Sequence, residues 1–83
     1  MSHEYREHLK TTSNGELDAI ALSMFTLRRQ VRLNRAQDHQ LMDIWHEFCR
    51  RDRRGDYMTL DAEAGKAWRE GRAPEAHRVT EHE

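Results

Sequence analysis

Cysteine occurs once, at Cys49, so no disulfide can form within the chain. A lone thiol is the pattern of a reducing cytoplasm, and a cytoplasmic location is expected. Proline occurs once, at Pro74, so none interrupts the residues before it. Alternating Val/Ile/Thr runs are missing, and Asn14-Gly15 has no alternating apolar segments beside it. Both absences argue against strands and hairpins. No apolar run is long enough for a signal peptide or a membrane span, so no membrane partner is expected. Glycine-rich phosphate loops and nucleophile elbows are missing. Helix-turn-helix, zinc-finger and ribonucleoprotein signatures are missing too. The chain has no internal repeat and no low-complexity tract.

What remains is 83 residues, 36% hydrophobic and 35% charged. With a mean hydropathy of -1.09 this is the polar end of globular composition. The length suits one small helical domain, residues 1–83, with a core over 13–71 and a polar tail over 72–83. A core this small leaves stability marginal, and neither a disulfide nor an evident metal supplies support. Self-association or docking on a partner is the remaining support.

Hydrophobic spacing lays out the helices. Residues 1–12 read as a short helix with Tyr5 and Leu9 one turn apart. Ser13-Asn14-Gly15-Glu16 reads as a capping box that opens a first main helix over roughly 14–33. Leu17, Ile20, Met24, Leu27 and Val31 form its stripe at three- and four-residue steps. Leu22 and Leu33 fall off that stripe and Phe25 sits at its edge. A helix apolar on more than one side is sandwiched between neighbours, and the chain offers few. Leu22, Phe25 and Leu33 are therefore read as a self-association or partner surface, and a homodimer is expected.

Asn34-Arg35-Ala36-Gln37 reads as a second capping box, favoured over one continuous helix because Asn34 and Asp38 are polar residues on the stripe. A second helix follows over roughly 35–54, with Leu41, Ile44, Trp45 and Phe48 on one face. Gly55 reads as its terminator and Thr59 as the cap of a third helix over roughly 60–70. The third helix has a thin face of Leu60, Ala64, Ala67 and Trp68, closed by Gly71 and Pro74. The expected architecture is all-α: a helical hairpin over roughly 14–54, with the third helix and a short N-terminal helix packed on it.

Three sets of residues bear on chemistry. His39, Asp43 and His46 share a helix face at i, i+4 and i+7, a spacing that can ligate zinc. Only three ligands are visible, opposite the apolar face, so the reading is a solvated flank with no metal and no cofactor. The net charge of -1 hides an uneven spread, with residues 28–54 at +4 and 55–83 at -3. Arginine outnumbers lysine twelve to two, which favours bidentate pairing with carboxylate or phosphate. Arg28, Arg32, Arg35, Arg50, Arg51, Arg53 and Arg54 are the candidate partner-binding residues. Met24, Met42 and Met58, with Trp45 and Trp68, read as core, the alternative being an adaptable binding groove.

Cys49 has His46 one turn away but no third group to complete a catalytic set, so no enzyme is expected. The leading expectation is a non-catalytic protein-binding module, a small regulator or inhibitor that occupies a partner's surface. Compact helical inhibitors of bacteriophages and plasmids, anti-CRISPR proteins among them, are an analogy of size and style that no motif supports. The alternatives are a small nucleic-acid-binding regulator using the arginine-rich middle, and a structural subunit of a larger assembly. Acidic residues among those arginines disfavour nucleic acid.

Overall fold

A computed structural model describes residues 2–71, and the regular structure among them is entirely helical. The helices are α1 (Ser2–Lys10), α2 (Asn14–Gln30), α3 (Arg35–Arg50) and α4 (Arg54–Arg69). The polar tail expected over 72–83 lies outside the described residues. No helix is long and apolar enough to cross a membrane.

Side-chain caps separate the first three helices. The Glu16 amide donates to Ser13 Oγ at 3.2 Å, which starts α2. Asn34 and Gln37 form a complete capping box: the Gln37 amide donates to Asn34 Oδ1 at 2.8 Å, and the Asn34 amide to Gln37 Oε1 at 3.0 Å. The chain therefore breaks there, as the sequence suggests. Helix α2 ends at Gln30, short of the expected 33, because Val31 is extended.

The junction of α3 and α4 departs from expectation. Helix α3 stops at Arg50, and Asp52, not Gly55, takes the left-handed conformation, with φ 59. The Asp52 amide donates to the Cys49 carbonyl at 3.0 Å and the Arg53 amide to the Phe48 carbonyl at 2.7 Å. These two bonds are the Schellman closure of a helix end. Arg53 completes it by lying over the Phe48 ring, 5.1 Å from its centroid. Helix α4 then runs straight through Gly55 and Thr59. The reason is tertiary. The early start puts Tyr57 on a helix, edge-on to Phe25, Trp45 and Phe48, with centroids at 4.9, 4.8 and 5.5 Å. Those contacts outweigh one glycine's unfavourable helix propensity.

Opposite glycine substitutions test this junction. Nothing lies within 4 Å of a Cβ added at Gly55, so Gly55→Ala is expected to stabilise by about 0.5–1 kcal/mol. Asp52→Gly relieves a left-handed aspartate and should also stabilise. Urea titrations check both, and a loss for Gly55→Ala would restore Gly55 as the helix terminator.

The helices pair as α2 with α4 and α1 with α3, while α2 and α3 touch little. The expected hairpin of the first two main helices is thus replaced by two pairs. Each pair runs in one direction. Asp18 meets Arg53 at one end of α2/α4, and Arg28 and Arg29 meet Asp61 further along both. Arg6 faces Asp43, and Leu9 meets Arg51 further along α1/α3. Ala64, Gly65 and Ala67 are the buried residues of α4, and small side chains let its partner approach closely. Arg29 lies across Gly65, where a Cβ would meet its Nη2 at 2.9 Å.

Helix α2 has its core face turned from the expected stripe. Leu17, Ala21 and Phe25 are fully buried and Leu22 and Leu33 join them, whereas Val31 is exposed. Leu9 of α1, Leu41, Ile44 and Phe48 of α3 and Ala64 of α4 share one core cluster with these residues, which composition alone did not reveal. Leu22, Phe25 and Leu33 are therefore core, not a self-association surface, and the apolar surplus that suggested a dimer is absorbed within one chain.

Candidate functional site

The arginines of the middle segment divide by what holds them. Arg51 is committed inward, with its side chain 15% exposed. Its Nη2 donates to the carbonyls of Leu9 at 2.8 Å and Thr12 at 2.7 Å, just where α1 ends. Its Nη1 donates to Asn14 Oδ1 at 2.8 Å, and its Nε to Glu47 Oε2 at 2.6 Å. One guanidinium thus closes α1 and ties it to α2 and α3, a role that uses the planar fork. Arg50 grips the same buried Glu47 through both oxygens, at 3.0 and 2.6 Å. The two hydrogen bonds from Arg50, then the one from Arg51, hold the Glu47 carboxyl below its ordinary value of 4.5 despite burial.

Arg53 is equally committed. Its Nη2 donates to both oxygens of Asp18 at 2.9 and 3.2 Å, and its Nε to Asp56 at 2.7 Å. Burial nevertheless raises the Asp18 carboxyl above its ordinary range, since the loss of water outweighs Arg53 there. Arg28 and Arg29 both donate to Asp61 Oδ1, at 3.0 and 3.2 Å, and Arg28 also lies over the Phe25 ring. Of the seven arginines expected to meet a partner, Arg28, Arg50, Arg51 and Arg53 thus pair with carboxylates of the chain itself. Arg32, Arg35 and Arg54 are exposed and have no ion pair among the described residues.

The flank of His39, Asp43 and His46 is split. His39 and His46 are exposed, as a solvated flank requires, but Asp43 is buried against α1. Among the described residues, no three His, Cys, Asp or Glu side chains gather as a metal site.

The adjoining flank of α3 carries the apolar surface that sequence reasoning assigned to the core. Met42 is 55% exposed, and Trp45 one turn on is half-buried, resting edge-on against Tyr57. Cys49, a further turn along, is a half-buried free thiol. Met58 and Trp68 on α4 are exposed as well. Burial pushes the Tyr57 phenol up, so it stays protonated beside Trp45 at neutral pH. The signal for this surface was in the sequence. Met42, Trp45 and Cys49 follow three- and four-residue steps beside Leu41, Ile44 and Phe48, making α3 apolar over a wide arc. No protein-family model, curated protein or solved structure matches this chain.

Proposed function

We propose that the protein is a non-catalytic protein-binding module, a small regulator or inhibitor that works by covering part of a partner's surface. The observation that carries this reading is the α3 flank, where exposed Met42 adjoins a Trp45 pre-positioned on Tyr57. Trp, Tyr, Met and Arg are the side chains enriched where proteins meet, and a ring already held in place loses little entropy on binding. A nucleic-acid surface is less well supported. A phosphate track needs cations free to replace counterions. Four of the seven candidate arginines are instead spent on Glu47, Asp18, Asp56 and Asp61.

The test is a quantitative pull-down from native lysate with wild-type protein, Met42→Arg, and Arg32→Ala/Arg35→Ala. Met42 is exposed enough for the charge to leave the fold intact, which circular dichroism checks. A stoichiometric partner held by wild type and by the arginine variant, but lost with Met42→Arg, is the expected result. Equal retention by Met42→Arg, or tight gel-shift binding of random duplex DNA at physiological salt, would overturn the reading.

A further inference from the structure

Helix α1 is held very differently at its two ends. At the C-terminal end Leu9 is fully buried, and Arg51 donates two short hydrogen bonds to the Leu9 and Thr12 carbonyls. These are charge-assisted bonds, to the Leu9 carbonyl, which also accepts the Thr12 amide at 3.1 Å, and to the Thr12 carbonyl just past the helix end. Toward the N-terminal end the only apolar contact among residues 4–8 is Tyr5, and it is half-buried. Beneath it lies Asp43 of α3, 6% exposed. Its Oδ2 is sealed from solvent and accepts no hydrogen bond among the described residues. Among the described residues the one cation paired with it is Arg6, 3.9 Å from Oδ1, too far for a hydrogen bond, and itself half-exposed.

The sealed Oδ2 oxygen, left without a donor, has lost its hydration for little return. A nine-residue helix does not stand alone in water, so its first turns stay folded only through docking. Lifting those turns gives up the Tyr5 contact and returns water to Asp43. Lifting the other end gives up Leu9 and both Arg51 bonds. The flank uncovered at Asp43 is polar, with exposed His39 and His46 a turn before and after it.

We propose that α1 is a hinged strap, fixed at Leu9 by Arg51, whose N-terminal turns open and close over Asp43 while α2, α3 and α4 stay folded. Opening is a local equilibrium of the native protein, below global unfolding in free energy. Asp43 sets it: the unsatisfied carboxylate drives the strap up, and the Arg6 charge draws it down. This assignment does not depend on the proposed function.

Native-state hydrogen exchange on the full chain tests it. The Arg6, Glu7 and His8 amides should exchange at least about tenfold faster than those of Phe25, Ile44 and Phe48, at a rate insensitive to low denaturant. Asp43→Asn keeps the shape and removes the charge, and should slow exchange in α1 about tenfold relative to α2 and α4. Arg6→Ala, at an exposed position, should speed exchange in α1 and leave the core amides unchanged. Exchange of α1 at the global rate would overturn the proposal. So would an Asp43→Asn variant that exchanges in α1 as fast as wild type or faster, or an Arg6→Ala variant with unaltered α1.

Discussion

Arg51→Ala is expected to destabilise the protein by about 3–5 kcal/mol, close to the whole stability of a domain this size. The substitution removes four hydrogen bonds at once, to Leu9, Thr12, Asn14 and Glu47. It leaves Glu47 buried with Arg50 as its remaining partner. The Thr12 carbonyl loses its Arg51 donor and the Leu9 carbonyl keeps only the Thr12 amide, so α1 should detach first. The pH dependence separates these parts. Glu47 has a folded-state pKa below its unfolded value, so its ionisation stabilises the fold above about 4.5 and that contribution fades as pH falls through the lower folded value. The gap between wild type and Arg51→Ala should therefore be widest above that range and narrow below it. It should not vanish, because the carbonyl and Asn14 bonds do not titrate. Arg51→Lys should recover the charge but not the fork, and should remain well short of wild type. Urea unfolding at neutral and acidic pH measures all of this. A loss under about 1 kcal/mol at neutral pH would show that Arg51 is an ordinary surface arginine.

Phe25→Ala should cost about 3–5 kcal/mol, and Trp45→Ala only about 1–2. Phe25 is fully buried and touches Tyr57 and Arg28. Trp45 is only half-buried and rests on Tyr57 from outside. Trp45→Ala should instead weaken capture of a partner more than it weakens the fold. Thermal unfolding of both variants, read beside the pull-down, checks the contrast. Equal losses of stability would return Trp45 to the core and remove the main support for the α3 surface.

This contrast reverses the sequence reading, in which Trp45 is core and Phe25 belongs to an interface. Period alone could not decide it. On α2, the stripe of Leu17, Ile20, Met24, Leu27 and Val31 and the arc through Leu17, Ala21, Leu22 and Phe25 are both consistent with helical spacing. Choosing between them requires knowing which helices lie on either side. On α3, Leu41, Ile44 and Phe48 are core by either criterion, but the helix is apolar over more than its neighbours cover. Asp43 shows the converse: a polar residue at a solvent-type position became buried because α1 lies over it.

The sequence by itself determined that the chain is helical, because strand and disulfide signals are lacking and helical spacing recurs. It also determined where α2 and α3 begin, because Ser13 and Asn34 satisfy amides only a few residues away. Those are local interactions, and local spacing suffices to read them. Only the tertiary structure decided that Asp52 and not Gly55 ends α3, that α2 pairs with α4, and that Arg51 and Arg53 face inward. Each depends on groups distant in sequence: Tyr57 on Phe25, Arg51 on the end of α1, and Arg53 on Asp18. An arginine's charge is the same whether it meets a partner or its own chain's carboxylate, and only the packing of the helices distinguishes the two.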